Sequence, residues 1–354
     1  MKNGKILYIN HTISGLYGGS VFAKRNLDSL KALCGEDNVV VYSLTHWRLN
    51  FGNIFKQLKS AFQHKYHVMQ IIENENIDTI FVDFSRMGSL CADIKRKSPH
   101  IKIVMYFQNI ELQYTYNAMK TTKRLHWFYS IIMSYWNELL ACKYSDKIIV
   151  LNLRDANLLR RIYGRKTNAI IPISISDAYD VMLPDSESEN RPFTILFVGS
   201  LFYANVHGII WFVKKVMPMF PDIELEIVGK DMHEIQAQVK RANVKIYSDV
   251  PSLQEYYQYA DLVVLPIFTG GGMKVKTAEA LMYGKTIIGT PEAFCGYDYH
   301  PEIGKICTNK HEFCDAINYY LSRGRKRFNT ASRDLFLTKY SFDSTLEKFR
   351  NILS

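Results

Sequence analysis

The stretch DLVVLPIFTGGGMKVKTAEALMYGKTIIGT, Asp261 to Thr290, decides how the rest of the chain is read. It opens on an apolar, β-branched run, Leu262 to Ile267, too short for a buried helix and of the right length for a strand covered on both faces. The run stops at Gly270, Gly271 and Gly272. Residues at helical spacing follow from Lys274 to Tyr283, Gly284 stands where a helix ends in a glycine, and Thr286 to Thr290 reads as a second strand before Pro291. Strand, glycine loop, helix and strand make a βαβ unit, whose ligand side is the carboxyl end of the first strand. Glycines there let the backbone approach an anion, and the first helical turn offers unpaired N–H groups with a partial positive charge. Lys274 and Lys276 add full charges, and Lys276 shares a helix face with Glu279. That face can hold a phosphate with its lysine and a sugar diol with its carboxylate. By spacing alone it fits equally a solvated Lys–Glu pair on an ordinary α/β helix.

At 354 residues the chain is expected to form two domains, each large enough for its own core. A hydrophobic content of 47% with 22% charged residues is that of a soluble globular protein. The net charge of +10 is unevenly spread: residues 1–175 hold 24 Lys and Arg against 12 Asp and Glu, and residues 176–354 hold 20 against 22. The excess in the first half points to an acidic partner, such as an anionic membrane surface or a nucleic acid, or to a solvated basic face. No nucleic-acid recognition module appears, so nucleic acid is not expected. The six cysteines show no CxxC pair, which fits a reduced cytosolic compartment. Cys295, His300, Cys307, His311 and Cys314 lie close together but lack zinc-ligand spacing, so no metal is expected there. No signal peptide is expected, because the first residues run straight into a strand.

Taken in order, Lys5 to Asn10 reads as a strand, SGLYGGS as a loop carrying Gly15, Gly18 and Gly19, and Ser20 as the cap of the next helix. The stretch from His46 to His67 and then Val68 to Asn76 are read as helical, Thr79 to Asp83 and Lys102 to Phe107 as strands, the latter followed by Gln108, Asn109 and Glu111. Lys120 to Tyr144 reads as one aromatic helix with a basic start, interrupted by Glu138 and shorter in apolar core than the ~20 residues a membrane span needs. It suits a helix lying in a membrane interface and suits a buried core helix equally well. Asp177 to Pro192 reads as a linker, Phe193 to Val198 as a strand ending in Gly199 and Ser200, Asn205 to Val216 as a helix, and Ala331 to Leu353 as one amphipathic helix.

Three segments carry a family resemblance: Gly270 through Thr290, FVGSLFYANVHGIIWF from Phe197, and VKIYSDVPSLQEYYQYADLVVLP from Val244. Together they resemble the donor half of GT-B glycosyltransferases, in particular the retaining, family 4-like group that builds bacterial surface polysaccharides. The resemblance is nearly continuous from Phe193 to Tyr297 and diffuse over residues 1–175. It implies a GT-B α/β fold of two doubly wound Rossmann-like domains facing across a cleft. Residues 1–175 would bind the acceptor, 176–192 would link, 193–330 would bind a nucleotide-sugar, and a C-terminal helix, 331–354, would cross back to the first domain.

By the same resemblance the chain is expected to be a hexosyl/glycosyltransferase that retains configuration; the lysines and helix terminus supply the diphosphate's counter-charge and no paired Asp ligands stand near the glycine loop, so it is expected to be metal-independent. It would use a nucleotide-diphosphate sugar and a lipid-linked or oligosaccharide acceptor, for O-antigen, capsule or exopolysaccharide. It would need no cofactor and would work in the cytoplasm, peripheral to the inner face of the membrane. Lys274, Lys276 and Glu279 are the implied catalytic groups. The implied donor contacts are Gly18, Gly19, Gly199, Ser200, Ser248, Asp249, Val250, Gly270, Gly271, Gly272, Met273 and Thr277. Gln108, Asn109 and Glu111 are the acceptor-side candidates, with Gln108 where relatives carry His. Gly271 stands where many relatives have a second glutamate that contacts the donor sugar. A nucleotide-sugar epimerase of the same fold and a non-catalytic transferase-like subunit are the alternatives.

Overall fold

Parallel strands alternate with helices along the chain, and the inner strands β4, β7 and β10 are apolar and buried on both faces. The computed structural model describes residues 4–10, 18–44, 54–124, 127–180 and 191–354. Two compact units emerge, Met1–Ile173 with Thr345–Ser354, and Ser174–Ser344.

The first unit runs β1 (Lys5–Asn10), α1 (Gly18–Cys34), β2 (Val39–Ser43), α2 (Ile54–Asn74), β3 (Ile77–Val82), α3 (Gly88–Lys97), β4 (Lys102–Phe107), α4 (Glu111–Thr122), α5 (Trp127–Tyr144), β5 (Lys147–Val150), α6 (Leu153–Tyr163) and β6 (Ala169–Ile170). Its sheet is wholly parallel in the order β2-β1-β3-β4-β5-β6. Chain direction across the sheet reverses between β1 and β3, which puts the crevice at the carboxyl ends of those strands. Ile80, Val82, Ile103, Met105, Ile148 and Val150 are buried along the strands and fill one core with Met87, Leu90 and Ile94.

The second unit contains β7 (Thr194–Val198), α7 (Tyr203–Lys215), β8 (Glu224–Gly229), β9 (Val244–Ser248), α8 (Gln254–Tyr259), β10 (Leu262–Leu265), α9 (Val275–Met282), β11 (Ile287–Gly289), β12 (Gly304–Ile306), α10 (Lys310–Leu321) and α11 (Thr330–Leu335). Its parallel sheet has the order β12-β11-β10-β7-β8-β9, so the reversal lies between β7 and β10. Those strands lead directly into Gly199 and into the glycine loop. An added Cβ at Gly208 of α7 would stand 1.9 Å from the Pro266 carbonyl oxygen. The missing side chain lets α7 sit against the end of β10.

Several boundaries differ from the sequence expectation. The polar stretch before Val68 joins the next segment in a single helix, α2, while residues 46–53 lie outside the described set. Gly18 and Gly19 open α1 rather than a loop, so Ser20 is inside that helix and not its cap; the rest of SGLYGGS lies outside the described residues. The expected single helix from Lys120 to Tyr144 is two: α4 ends at Thr122, and Lys123 takes the left-handed conformation, φ 54°. Lys120, Lys123 and Arg124 therefore belong to the end of α4 and the turn, not to α5. Much of the linker, 181–190, lies outside the described residues.

The C-terminal segment is also broken rather than continuous. After α11 comes a π-helical turn, Phe336–Tyr340, and Ser341 is extended before α12 (Phe342–Leu353). Within the first unit, Phe349 of α12 is fully buried with its ring 6.3 Å from Phe81 and 6.4 Å from Tyr106. Lys102 and Lys147 donate to the Leu353 and Ile352 carbonyls at 3.0 and 2.9 Å, placing positive charge at the helix end where the carbonyls are unpaired.

Candidate functional site

The glycine loop leaves β10 and turns through Gly272, whose φ of 57° suits glycine. Lys274 is then extended and starts α9 without offering a side-chain cap. Two hydrogen bonds hold this first turn. Thr277 Oγ1 donates to the Ala293 carbonyl at 2.7 Å, and Tyr297, from the loop after β11, donates its hydroxyl to the Lys274 carbonyl at 2.7 Å. The Thr277 N–H donates to the Lys274 carbonyl at 3.0 Å, while the N–H groups of Val275 and Lys276 come before any carbonyl of their own helix that could meet them. They stand beside the reversal point of the sheet.

Lys276 and Glu279 both lie half-buried on the same face of α9, which is not the setting of a solvated surface pair. The Lys276 ammonium donates to Asn205 Oδ1 and stands 5.3 Å from the centre of the Phe197 ring. Asn205 is 8% exposed, and its own amide donates to the Ser200 carbonyl at 2.9 Å. One asparagine thereby joins the loop after β7 to the lysine of α9. Burial pushes the Lys276 amine down to about 7; the charge of Glu279 opposes that fall and Lys274 adds to it. Glu279 accepts from the Tyr257 hydroxyl at 3.2 Å, and Tyr257 stacks on Tyr283 with ring centres 4.7 Å apart. Burial raises the Glu279 carboxyl, while the Tyr257 hydrogen bond and Lys276 pull it back.

Lys274 has a different setting from the one its position in the motif suggests. Its ammonium donates to Glu292 Oε1 at 2.7 Å and to the Gly271 carbonyl at 3.1 Å. The lysine thus braces the glycine loop and shares its charge with a carboxylate, leaving Lys276 as the cation with a neutral anchor. Gly270, Gly271, Gly272 and Met273 make up that loop, and Met273 is buried. Gly199 and Ser200 follow β7, facing the loop through Asn205. Ser248 ends β9, and Asp249 and Val250 follow it; Ser248 Oγ accepts from the His233 N–H at 2.6 Å, and Asp249 has a left-handed φ of 57°. Asn205, Tyr257, Glu292 and Tyr297 were not singled out from the sequence, because each reaches the site from an element distant in the chain.

On the first unit, the acceptor-side candidates separate. Gln108 follows β4 and donates its amide to Asp83, to Oδ1 and to the carbonyl, at 3.2 Å each. Asn109 donates to Glu111 Oε1 at 3.1 Å. Glu111 is 4% exposed and paired with Arg86 at 3.0 Å, so it is a buried structural carboxylate, not one open to a ligand. Among the described residues all six cysteines are free, and no cluster of three or more His, Cys, Asp or Glu side chains could hold a metal ion.

Residues 192–323 match the family model described as glycosyl transferases group 1. The chain is 25% identical over 265 residues to an uncharacterized 44.6 kDa protein in the cps region of Klebsiella pneumoniae, a match covering 69% of the chain and 65% of that relative. It thus spans just under two thirds of the relative's length. Among solved structures it is similar to a sucrose-phosphate synthase from Thermosynechococcus elongatus, at a TM-score of 0.76 and 15% identity over 99% of this chain and 98% of that one. The lipopolysaccharide outer core galactosyltransferase WaaB, in its apo form, gives 0.67 at 14% identity, covering 99% of both chains. Anabaena HepE in complex with UDP-glucose gives 0.73 at 13%, again over 99% of both. These likenesses show a GT-B fold, as the sequence resemblance implied.

The setting of Lys276 yields a prediction about pH. An exposed lysine titrates near 10.4, and this one near 7 when folded, so between those values the unfolded chain binds a proton that the folded chain has released. The contribution of Lys276 to stability is therefore present above about pH 10 and lost as pH falls through about 7. Lys276→Met should be more stable than the parent near pH 7, with the difference shrinking steadily toward pH 10. Urea unfolding of both proteins across that range measures it. A difference independent of pH would mean that the folded protein keeps Lys276 protonated.

Proposed function

We propose that this chain, whose fold is GT-B and whose residues 192–323 match the glycosyl transferases group 1 model, transfers a sugar from a nucleotide-diphosphate sugar to a hydroxyl of a lipid-linked oligosaccharide, retaining configuration, in bacterial surface polysaccharide synthesis. The cps-region relative and the lipopolysaccharide galactosyltransferase among the structural neighbours support the pathway class, and the UDP-glucose held by a third neighbour supports the donor class. The observation that carries the reading is the half-buried Lys276, held by Asn205 in the first turn of α9. A half-buried amine with a lowered pKa at a helix N-terminus gains most from an incoming dianion, which restores its proton and its counter-charge.

In this reaction the bond between the anomeric carbon and the diphosphate oxygen breaks, and the electron pair goes to the diphosphate. The acceptor oxygen bonds to the same face of that carbon, and its proton passes to the departing phosphate. Lys276 and the α9 N–H groups stabilise the charge that grows on the leaving oxygen, and a donor of this kind is typically worth about 3 to 4 kcal/mol in the transition state. Lys274, tied to Glu292, keeps the glycine loop in place for that contact. Glu279 accepts from the ribose diol of the donor.

Glu279→Gln keeps the shape of the side chain and removes its charge. A hydrogen bond to a charged group is worth about 1.5 to 3 kcal/mol, so nucleoside-diphosphate affinity should fall about tenfold. Lys276→Ala should act mainly on kcat, because the charge it meets develops as the bond breaks. Calorimetry with free nucleoside diphosphate and turnover of each variant test both. Unchanged affinity in folded Glu279→Gln would remove the ribose contact, and nucleotide binding without any turnover in the parent would favour the non-catalytic subunit.

Turnover is expected to proceed without a divalent cation, since Lys276 and the helix terminus supply the counter-charge. Rates measured in EDTA and after adding Mn²⁺ decide this, and activity abolished by EDTA and restored by Mn²⁺ would contradict it.

We further propose that the protein works at the cytoplasmic membrane face, docking through α5 and the basic end of α4. Phe128, Ile132 and Trp136 lie four residues apart on α5 and are exposed, with Tyr135 beside them, and Lys120, Lys123 and Arg124 are exposed nearby in the chain. Each basic residue near an anionic surface is worth roughly 1 kcal/mol, a contribution that salt weakens. Replacing Lys120, Lys123 and Arg124 by Glu should reduce co-sedimentation with anionic liposomes. Equal sedimentation of parent and variant, or no binding at low salt, would mean that this surface serves as core or protein interface and not as a membrane dock.

A further inference from the structure

The most apolar helix of the chain, α5, carries one carboxylate, Glu138, and buries it completely. Four donors surround it. Oε1 accepts from the Glu111 N–H at 2.7 Å and the Ser85 hydroxyl at 3.0 Å; Oε2 accepts from the Leu112 N–H at 3.1 Å and the Tyr163 hydroxyl at 2.7 Å. The two N–H groups belong to the first turn of α4, whose flanking residue, Ile110, has no side chain able to cap it. A residue of another helix thus supplies the missing cap.

That cap lies at the base of the segment 108–111. Ser85 and Arg86 bring the loop after β3 to the same place, Ser85 through Glu138 and Arg86 through Glu111 at 3.0 Å. Gln108, at the carboxyl end of β4, is fixed in turn by its two bonds to Asp83. The loops after β3 and β4 are therefore stitched into one piece at the crevice end of the sheet, and Glu138 touches both loops and α6. On its far side Tyr163 packs against Tyr135, with ring centres 5.8 Å apart, and Tyr135 belongs to the exposed aromatic face of α5.

We propose that Glu138 is a positioning residue for the acceptor step: it sets where α4 begins, and with it the orientation of Gln108 and Asn109 toward an acceptor hydroxyl. This rests on the transferase reading above. A cap serving α4 alone needs only a polar side chain at position 110; a carboxylate on α5 fixes α4, the β3 loop and α6 against the same helix. Removing it should disturb the acceptor side and leave nucleotide binding around α9, which belongs to the other unit, unchanged.

The test uses the full-length protein with a panel of nucleotide-sugars and native membranes as acceptor, following release of nucleoside diphosphate. Glu138→Gln, which must turn an N–H toward donors, should lower the rate at least tenfold at low membrane concentration. Its affinity for free nucleoside diphosphate should equal the parent's, and amide exchange at Glu111 and Leu112 should quicken. Glu138→Asp should recover part of the rate. Tyr163→Phe, which removes one donor and keeps the cap, covers the case in which Glu138→Gln does not fold, and should lower the rate about twofold to threefold with nucleotide affinity again unchanged. Parent-like acceptor titrations in Glu138→Gln and Tyr163→Phe would overturn the proposal alone, as would a fall in nucleotide affinity matching the fall in rate. A parent that releases no nucleoside diphosphate under any of these conditions would overturn the transferase reading and this proposal with it.

Discussion

The candidate site depends on where the first turn of α9 is held. Its N–H groups can serve an anion only while the helix start stays at the carboxyl end of β10, and no side chain of Lys274 caps it there. The hold comes from the loop after β11, through Thr277 to Ala293 and Tyr297 to Lys274. Each such bond is worth only about 1 kcal/mol net, yet leaving the buried partner unmet costs about 1 to 3 kcal/mol. The loop and the helix start therefore move together or not at all. Lys285 reinforces the other end of this helix–strand connection, its buried ammonium donating to the Gln258, Ala260 and Arg327 carbonyls.

Charge is handled differently at the two lysines of the motif. Lys274 meets a carboxylate, so its positive charge is balanced before any ligand arrives. Lys276 meets an amide oxygen and an aromatic face, which orient the amine without balancing it. Desolvation then destabilises the charged form, and an arriving anion relieves that strain. The pair reads as one structural cation and one responsive cation, two residues apart on the same turn.

The first unit keeps its polar groups in a network at the matching end of its sheet. Buried Asp83 accepts from Tyr8 at 2.5 Å and Asn26 at 2.8 Å as well as from Gln108, and burial raises its carboxyl to about 6 against the pull of those bonds. Arg25 donates to Tyr106 at 2.8 Å and to the Pro172 carbonyl at 3.2 Å, and its guanidinium stands 5.1 Å from the centre of the Phe349 ring. The network joins β1, β3, β4 and the returning C-terminal helix in one polar layer.

The fold class was legible because its signals are local. A β-branched run of strand length, a glycine stop and a helical period follow one another between Asp261 and Thr290, and backbone preference alone separates them. Where local signals were weak, the elements came out wrong: no glycine or proline marks the break after Thr122 or the π-helical turn at Phe336. Lys276 and Glu279 could be placed on one face from their spacing, since a helix fixes that by itself. What each lysine does could not be, because Glu292, Asn205, Tyr257 and Tyr297 reach the site from other strands and loops. Glu138 is the clearest case: in the sequence it is a charge interrupting an apolar helix, and only the tertiary structure brings it to the N–H groups of α4, where four donors meet the buried carboxylate. Sequence determines what a segment does with its own backbone; which distant partner meets a side chain is decided by the fold that brings them together.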